Sequence, residues 1–175
     1  MNDNLKMWRN VWDFKGSKEL LEKIIHTIRS GQSFDHLMEA LPEQFRLSKC
    51  LNGAPLQNCQ LDGLNLRGIS FDYADMKKAN FKDSFLPECS FIGTELQNAC
   101  FSGAFLEKVM FGTSDLSFTD FSGAFLKESH FGLANLENTN FSNADIEAAI
   151  FLRAKNIDTS IFKGVDVSKA RFLFC

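Results

Sequence analysis

Every fifth residue from Leu51 to Phe151 is Leu, Ile, Met or Phe, 21 positions in succession, although these four types supply only 53 of the 175 residues. Two residues before most of these centres the side chain is small, as at Ala74, Ala79, Ser84, Cys89, Thr94 and Ala99, and again at Ala124, Ser129, Ala134, Thr139, Ala144 and Ala149. A period of five with one large and one small inward position matches neither the 3.6 of a helix nor the 2.0 of a strand. A strict short period predicts a solenoid, in which each unit buries its apolar side only against its neighbours. A longer echo is laid over it: SGAFLEK at 102–108 returns as SGAFLKE at 122–128, twenty residues on.

Residues 1–50 do not repeat. SKELLEKIIHTIRSG (17–31) places Leu20, Leu21, Ile24, Ile25 and Ile28 on one helical side, with Ser17 as the expected N-cap and Gly31 as the stop. SFDHLMEALP (33–42) predicts a second short helix ended by Pro42, and MWRNVWDF (7–14) carries Trp8, Val11, Trp12 and Phe14, which need cover. The expected division is a helical N-terminal extension and cap over 1–50, followed by the repeat over 51–175. Because a stack of parallel strands has open edges at both ends, the segment around 33–50 is expected to cap the first coil. KARFLFC, with Leu173, Phe174 and Cys175 beyond the last centre, shows no cap for the other end.

The strings ADMKK (74–78), ANFKD (79–83), TELQN (94–98), ANLEN (134–138), TNFSN (139–143) and ADIEA (144–148) resemble the A(D/N)LXX consensus of the pentapeptide-repeat family. The resemblance implies an all-β solenoid, a right-handed quadrilateral parallel β-helix of about six coils. Four pentapeptides would make one square coil of twenty residues, so that SGAFLEK and SGAFLKE lie on top of each other. On that ruler Phe71, Phe91, Phe111, Phe131 and Phe151 share one face, and Phe81, Phe101, Phe121 and Phe141 the opposite one. These nine are expected as structural core, in two facing aromatic ladders that alternate with Leu ladders. After Phe151 the centres shift by one residue, to Ile157, Phe162, Val167 and Phe172, which places an insertion in LRAKN (152–156) as a bulge at a corner.

Composition narrows the chemistry. There are 19 Phe against one Tyr and two Trp, which suits an interior built from one aromatic shape, and the net charge of −3 is too mild for nucleic-acid binding through a basic field. The five cysteines have neither CxxC nor Cys/His metal spacing. Three histidines, His26, His36 and His130, have no nucleophile placed beside them, and no glycine-rich phosphate loop is present. No catalytic, cofactor-binding or metal residue is therefore assigned, and no small-molecule substrate is expected. The period of five also excludes the hexapeptide β-helix of acyltransferases. No stretch has the apolar length of a membrane span and MNDNLKMWRN lacks the form of an export signal, so a cytoplasmic location is expected.

Two outward features remain. Asp75, Glu95 and Asp115 share a column, and family members that bind type II topoisomerases are known to imitate DNA phosphates, so the resemblance allows a DNA-mimicking regulator or protector of gyrase. Against this, Lys77 and Lys78 flank the column, and an Asp or Asn before the centre also serves turns. The stronger anomaly is apolar: Phe85, Phe105 and Phe125 each precede a centre, where side chains face outward, at intervals of twenty. Ile92, Met110, Leu133, Ile150 and Leu152 are outward on the adjoining face, and together they would exceed the apolar patch a soluble monomer usually shows. Three covers fit: the N-terminal segment with Trp8, Trp12 or the Leu20/Ile24/Ile28 stripe, a second copy, or another protein. The expected function is a non-catalytic protein–protein interaction module or assembly scaffold, with homodimerisation through the Phe face or the C-terminal end as one form of it.

Overall fold

Each pentapeptide makes the same two moves. The chain is extended around the centre and then turns, with the N–H three residues on donating to the carbonyl of the centre, as from Ala74 to Phe71 (3.1 Å) and from Ala104 to Phe101 (3.0 Å). The residue two after the centre has positive φ at every corner from Gly53 (70°) to Arg153 (52°), including the β-branched Thr113 (57°). Side chains other than Gly lose on the order of 1–2 kcal/mol in that conformation, so the turn is held by what it stacks on rather than by local preference.

The computed structural model describes residues 6–7, 10–13, 15–40 and 50–173. Four turns return the chain above its start, making a four-sided β-helix in which residues twenty apart pair in parallel, as do Pro55 with Asp75, Asp75 with Glu95 and Glu95 with Asp115. On each face three bonds join successive coils: Leu56 N–H to Asp75 O (2.8 Å), Asn58 N–H to Lys77 O (2.9 Å) and Asp75 N–H to Ala54 O (3.0 Å) on one of them. Inside, the nine core Phe from Phe71 to Phe151 are all buried. Rings within a ladder stack, Phe81 on Phe101 at 4.6 Å and 4°, and rings of opposite ladders meet edge to face, Phe91 with Phe101 at 5.7 Å and 88°. The small inward residues that are polar stitch coil to coil: Thr94, Thr119 and Thr139 donate to the carbonyls of Phe71, Leu96 and Leu116, each at 2.9 Å.

The one-residue shift is real and falls at Asn156, the last residue of the expected span 152–156. Lys155 still pairs with Asn135 twenty residues back, whereas Ile161 pairs with Asn140 and Phe172 with Phe151, twenty-one back. The extra residue is absorbed in a corner entered through Asn156 (φ 55°), where Ile157–Thr159 wind into a 3-10 turn. Strands β1 (Ile150–Leu152), before this corner, and β2 (Arg171–Leu173), after it, pair in parallel, and Phe162 and Phe172 extend the two ladders at 5.0 and 4.8 Å. Val167, expected as a centre, is instead 46 % exposed at the start of a 3-10 turn, Val167–Lys169, in which the Asp166 carboxylate accepts from Ser168 N–H and Oγ–H. Phe174 and Cys175 lie outside the described residues.

Helix α1 (Ser17–Arg29) buries Leu20, Leu21, Ile24 and Ile28. Its N-cap is Gly16, in the left-handed conformation and without a side-chain bond, rather than Ser17. Its end is the expected one: Gly31 N–H donates to Ile28 O (2.9 Å) and Gln32 N–H to Thr27 O (3.2 Å), the paired closure that a left-handed Gly permits. A 3-10 helix, Asp35–Ala40, follows where a second α-helix was expected. In later coils the backbone carbonyls at the positions of Asn52 and Gln60 accept from the coil beneath, as Asp72 O does from Gly53 N–H and Asn80 O from Leu61 N–H. At the first coil there is no coil beneath, and Trp12 Nε1–H donates to Asn52 O (2.8 Å) while Arg29 Nη2 donates to Gln60 O (2.6 Å). Trp12 and Arg29 thus stand in for a missing coil. Of the cap expected at 33–50, Phe34 is buried, lining with Ile28 a recess against Leu66 and Ile69. Residues 41–49, including Pro42, together with Trp8 and Phe14, lie outside the described residues.

Two substitutions separate the core from the corner. Phe111→Ala removes a ring with stacked neighbours on both sides and should lower unfolding free energy by about 3–5 kcal/mol in a denaturant titration. Thr113→Gly, two residues away, relieves a β-branched left-handed residue and should raise it by about 1 kcal/mol in the same titration.

Candidate protein-binding face

An Asp or Asn before the centre has a structural task. Its Oδ1 accepts the N–H two residues on, which the coil ladder leaves unpaired: Asn80 from Lys82 (3.1 Å), Asp115 from Ser117 (3.0 Å), Asp120 from Ser122 (2.9 Å) and Asn140 from Ser142 (3.0 Å). These Asx turns account for the consensus polar residue without any partner.

The same bonds consume the acidic column. Asp75 accepts from Gln57 Nε2 (2.7 Å) and Lys77 Nζ (3.4 Å), Lys77 also bonds Glu95, and Asp115 accepts from Gln97 Nε2 (2.8 Å), Ser117 Oγ (2.7 Å) and Asn135 Nδ2 (3.1 Å). Glu95, then Asp75, hold the Lys77 ammonium protonated above its ordinary value. This column is a half-buried, hydrogen-bonded network in which Lys77 offsets one of three carboxylates, rather than a free anionic stripe.

Phe85, Phe105 and Phe125 occupy the Asx position on one face, and they do not serve it. Their side chains are 41, 46 and 46 % exposed, pair coil to coil, and stack on one another, Phe85 to Phe105 at 6.2 Å and 49°, Phe105 to Phe125 at 4.7 Å and 8°. A ring accepts no turn bond, so the N–H groups of Glu107 and Lys127 lack the acceptor their counterparts have. At the first of the three the loss is nil, because residue 87 is Pro and has no N–H. Asn65 below and Asp145 above restore the polar pattern, and each accepts its turn bond, from Arg67 N–H (3.2 Å) and Glu147 N–H (3.1 Å).

Beside the rings run two columns of charge. Glu107, Lys127 and Glu147 follow one another in the first, Glu88, Lys108 and Glu128 in the second. Ion pairs link them: Arg67 with Glu88 (2.5 Å), Lys108 with Glu107 (3.5 Å) and Glu128 (4.0 Å), and Lys127 with Glu147 (3.3 Å). Rings and charges together line a shallow groove of about 390 Å³.

The other apolar candidates do not join the rings in one patch. Met110 and Ile150, with His130 between them, line a second depression around the corner, and Lys108 borders both. Met110, Leu133 and Leu152 are exposed, whereas Ile92 and Ile150 are only half-exposed. Leu152 is the outward neighbour of Ile150 across Phe151 in β1, Gly112 and Gly132 stand between it and Ile92 in the same column, and Leu133 is in a corner with φ 60°. A further exposed ring escaped the sequence reading: Phe118, 53 % exposed, in a left-handed corner. The signal was available, since residues two after a centre always face outward. The covering segment is also not where one reading put it, because the Leu20/Ile24/Ile28 stripe and Trp12 are buried at the first coil and Trp8 lies outside the described residues.

Among the described residues no cluster of His, Cys, Asp and Glu could hold a metal, and no helix is long and apolar enough to cross a membrane. Cys50, Cys59 and Cys100 are free thiols, and burial pushes the Cys59 thiol up to about 12, which leaves it a poor nucleophile.

The model of the pentapeptide repeats matches residues 50–86, 74–111 and 114–151. The chain belongs to the pentapeptide repeat family. HetL, a pentapeptide repeat protein involved in heterocyst differentiation regulation in the cyanobacterium Nostoc sp., is 22 % identical over 71 % of this chain and 54 % of its own, with a TM-score of 0.53. This chain therefore spans about half of HetL, and the likeness shows the fold, the right-handed quadrilateral β-helix. QnrB1, a plasmid-mediated fluoroquinolone resistance protein, is 18 % identical over 66 % of this chain and 65 % of its own, at a TM-score of 0.31. A pentapeptide repeat protein of the Arabidopsis thaliana thylakoid lumen is 28 % identical over 66 % and 63 %, at 0.25. No curated protein matches the chain.

In a pentapeptide repeat, Asn at position 105 would regain a turn bond of about 1 kcal/mol and lose ring stacking of about 0.5–1.5 kcal/mol. Phe105→Asn should therefore leave the β-rich circular dichroism unchanged and shift unfolding free energy by less than about 1 kcal/mol. A loss as large as that of a core Phe, measured by the same denaturant titration, would show Phe105 to be core.

Proposed function

We propose that this pentapeptide-repeat rod is a non-catalytic interaction module, and that the Phe85–Phe105–Phe125 face is its contact with another protein surface. The observation that carries the reading is the exchange of three consecutive Asx residues for three exposed rings, a change that gives the coil almost no net stability. Apolar rings ringed by charge are the composition of a contact core with a polar rim. The thiols of Cys50, Cys59 and Cys100 fit a reducing compartment such as the cytoplasm. The alternative of a DNA-mimicking regulator of gyrase gains no support from the Asp75/Glu95/Asp115 column, whose carboxylates are occupied by their own face.

A photo-crosslinking phenylalanine analogue at position 105 tests the reading in the native cell. It should give a discrete protein adduct, either the chain itself or another protein, that is at least about tenfold stronger than the same probe at Phe118, on a different corner. Equal or absent adducts at the two positions would remove the Phe face as a contact.

A further inference from the structure

The charges beside the rings carry more information than their sum. Coil by coil, the two columns are out of phase: Glu107 sits beside Lys108, and Lys127 beside Glu128. A two-fold axis lying in the face, along the strand direction, turns a second copy over so that each column faces itself with the coil order reversed. If the axis passes between the coils of Phe105 and Phe125, Phe105 meets Phe125 of the other copy, Glu107 meets Lys127, and Lys108 meets Glu128, each twice. If it passes through the coil of Phe105 instead, Glu107 faces Glu107, Lys108 faces Lys108, and Glu88 faces Glu128. Among axes between coils this register pairs the most charges: one coil lower, Glu88 meets Lys108 but Lys127 meets Arg67, and one coil higher only Lys127 meets Glu147.

We propose that the Phe face docks a second copy of this chain, antiparallel, about an axis between the coils of Phe105 and Phe125. The inference rests on the reading of this face as a contact surface and names its occupant. Both copies present flat strands, which pack at about 10 Å, a gap that two layers of outward Phe fill. At roughly 200 Å² for an aromatic side chain, exposures of 41, 46 and 46 % leave about 270 Å² of ring on each copy. The half-exposed charged columns raise the contact toward the roughly 800 Å² per partner of a standard interface. The small apolar share makes the dimer weak, with dissociation in the micromolar range or above, and the charge pairs make it sensitive to salt.

Sedimentation equilibrium of the full chain from about 5 to 500 µM tests this with two reversals, Glu107→Lys and Lys127→Glu. The wild type should move from monomer to dimer across that range, and added salt should shift the midpoint upward. Each variant alone sets like charges opposite each other twice and should weaken self-association about tenfold or more. An equimolar mixture of the two variants restores Lys opposite Glu at both contacts and should dimerise again. Unchanged circular dichroism and melting of the variants separate these effects from misfolding. A wild type still monomeric at 500 µM, variants that dimerise like the wild type, or a mixture that stays monomeric would each overturn the proposal. A monomeric wild type that nevertheless crosslinks to a different protein through position 105 would overturn the second copy while leaving the contact face standing.

Discussion

The structure depends on one hydrogen-bond register, in which an N–H donates to a carbonyl nineteen residues ahead and accepts its place in the stack from it, as between Leu56 and Asp75 and between Phe91 and Met110. With that register fixed, the environment of a residue is set by its place in the pentapeptide and by the residues twenty before and after. An inward ring is enclosed by the rings above and below at about the coil spacing, so its neighbours must share its shape. A smaller side chain in the ladder would leave a void that nothing can collapse into, because the backbones on either side are held by the ladder. This is why the interior is Phe over Phe, with stacking within each ladder and edge contacts between them.

Translation along the stack also decides what the sequence makes legible. The Phe71–Phe151 centres, the corners and the polar Asx positions repeat the same environment, so counting in fives places each of them. The ends obey no such rule. Nothing in the period says that Trp12 and Arg29 would occupy the carbonyls of Asn52 and Gln60, or that Gly16 rather than Ser17 would begin the helix. Val167 has the spacing of a centre and the usual Asx turn before it, from Asp166, but no further coil among the described residues encloses it. The insertion was legible both as a shift in register and as a corner within 152–156, whereas the 3-10 turn that follows it is not encoded in hydropathy.

Side-chain partners across coils are harder to read than centres. Sequence shows Lys77 beside the Asp75/Glu95/Asp115 column, but not that Gln57, Lys77 and Gln97 each bond the acid of the following coil, eighteen residues on. The apolar candidates show the opposite error. Phe105, Met110 and Leu133 are close in a list of outward residues, but a square section turns a corner between them, and only the three Phe form a ladder. Phe105 and Phe111 are the same residue six positions apart, one half-exposed where the fold wants an acceptor and the other sealed where it wants a ring.

Alternating charge by itself says little about a partner. Residues twenty apart stand about one strand spacing from each other, and like charges at that distance destabilise a sheet, so a lone rod also favours sign changes along a column. The isolated rod also gains from adjacent columns that alternate out of phase, because neighbours such as Glu107 and Lys108 then pair within one coil. Lys108 already has Glu107 beside it and Glu128 above it, and Lys127 has Glu147; in-phase columns would satisfy the vertical rule equally well. Alternation within each column is what lets the face match its own inverted image about an axis between coils, with the most pairs about the one between Phe105 and Phe125. Beside three rings that serve no turn bond, this self-match is the feature on which the proposed second copy rests.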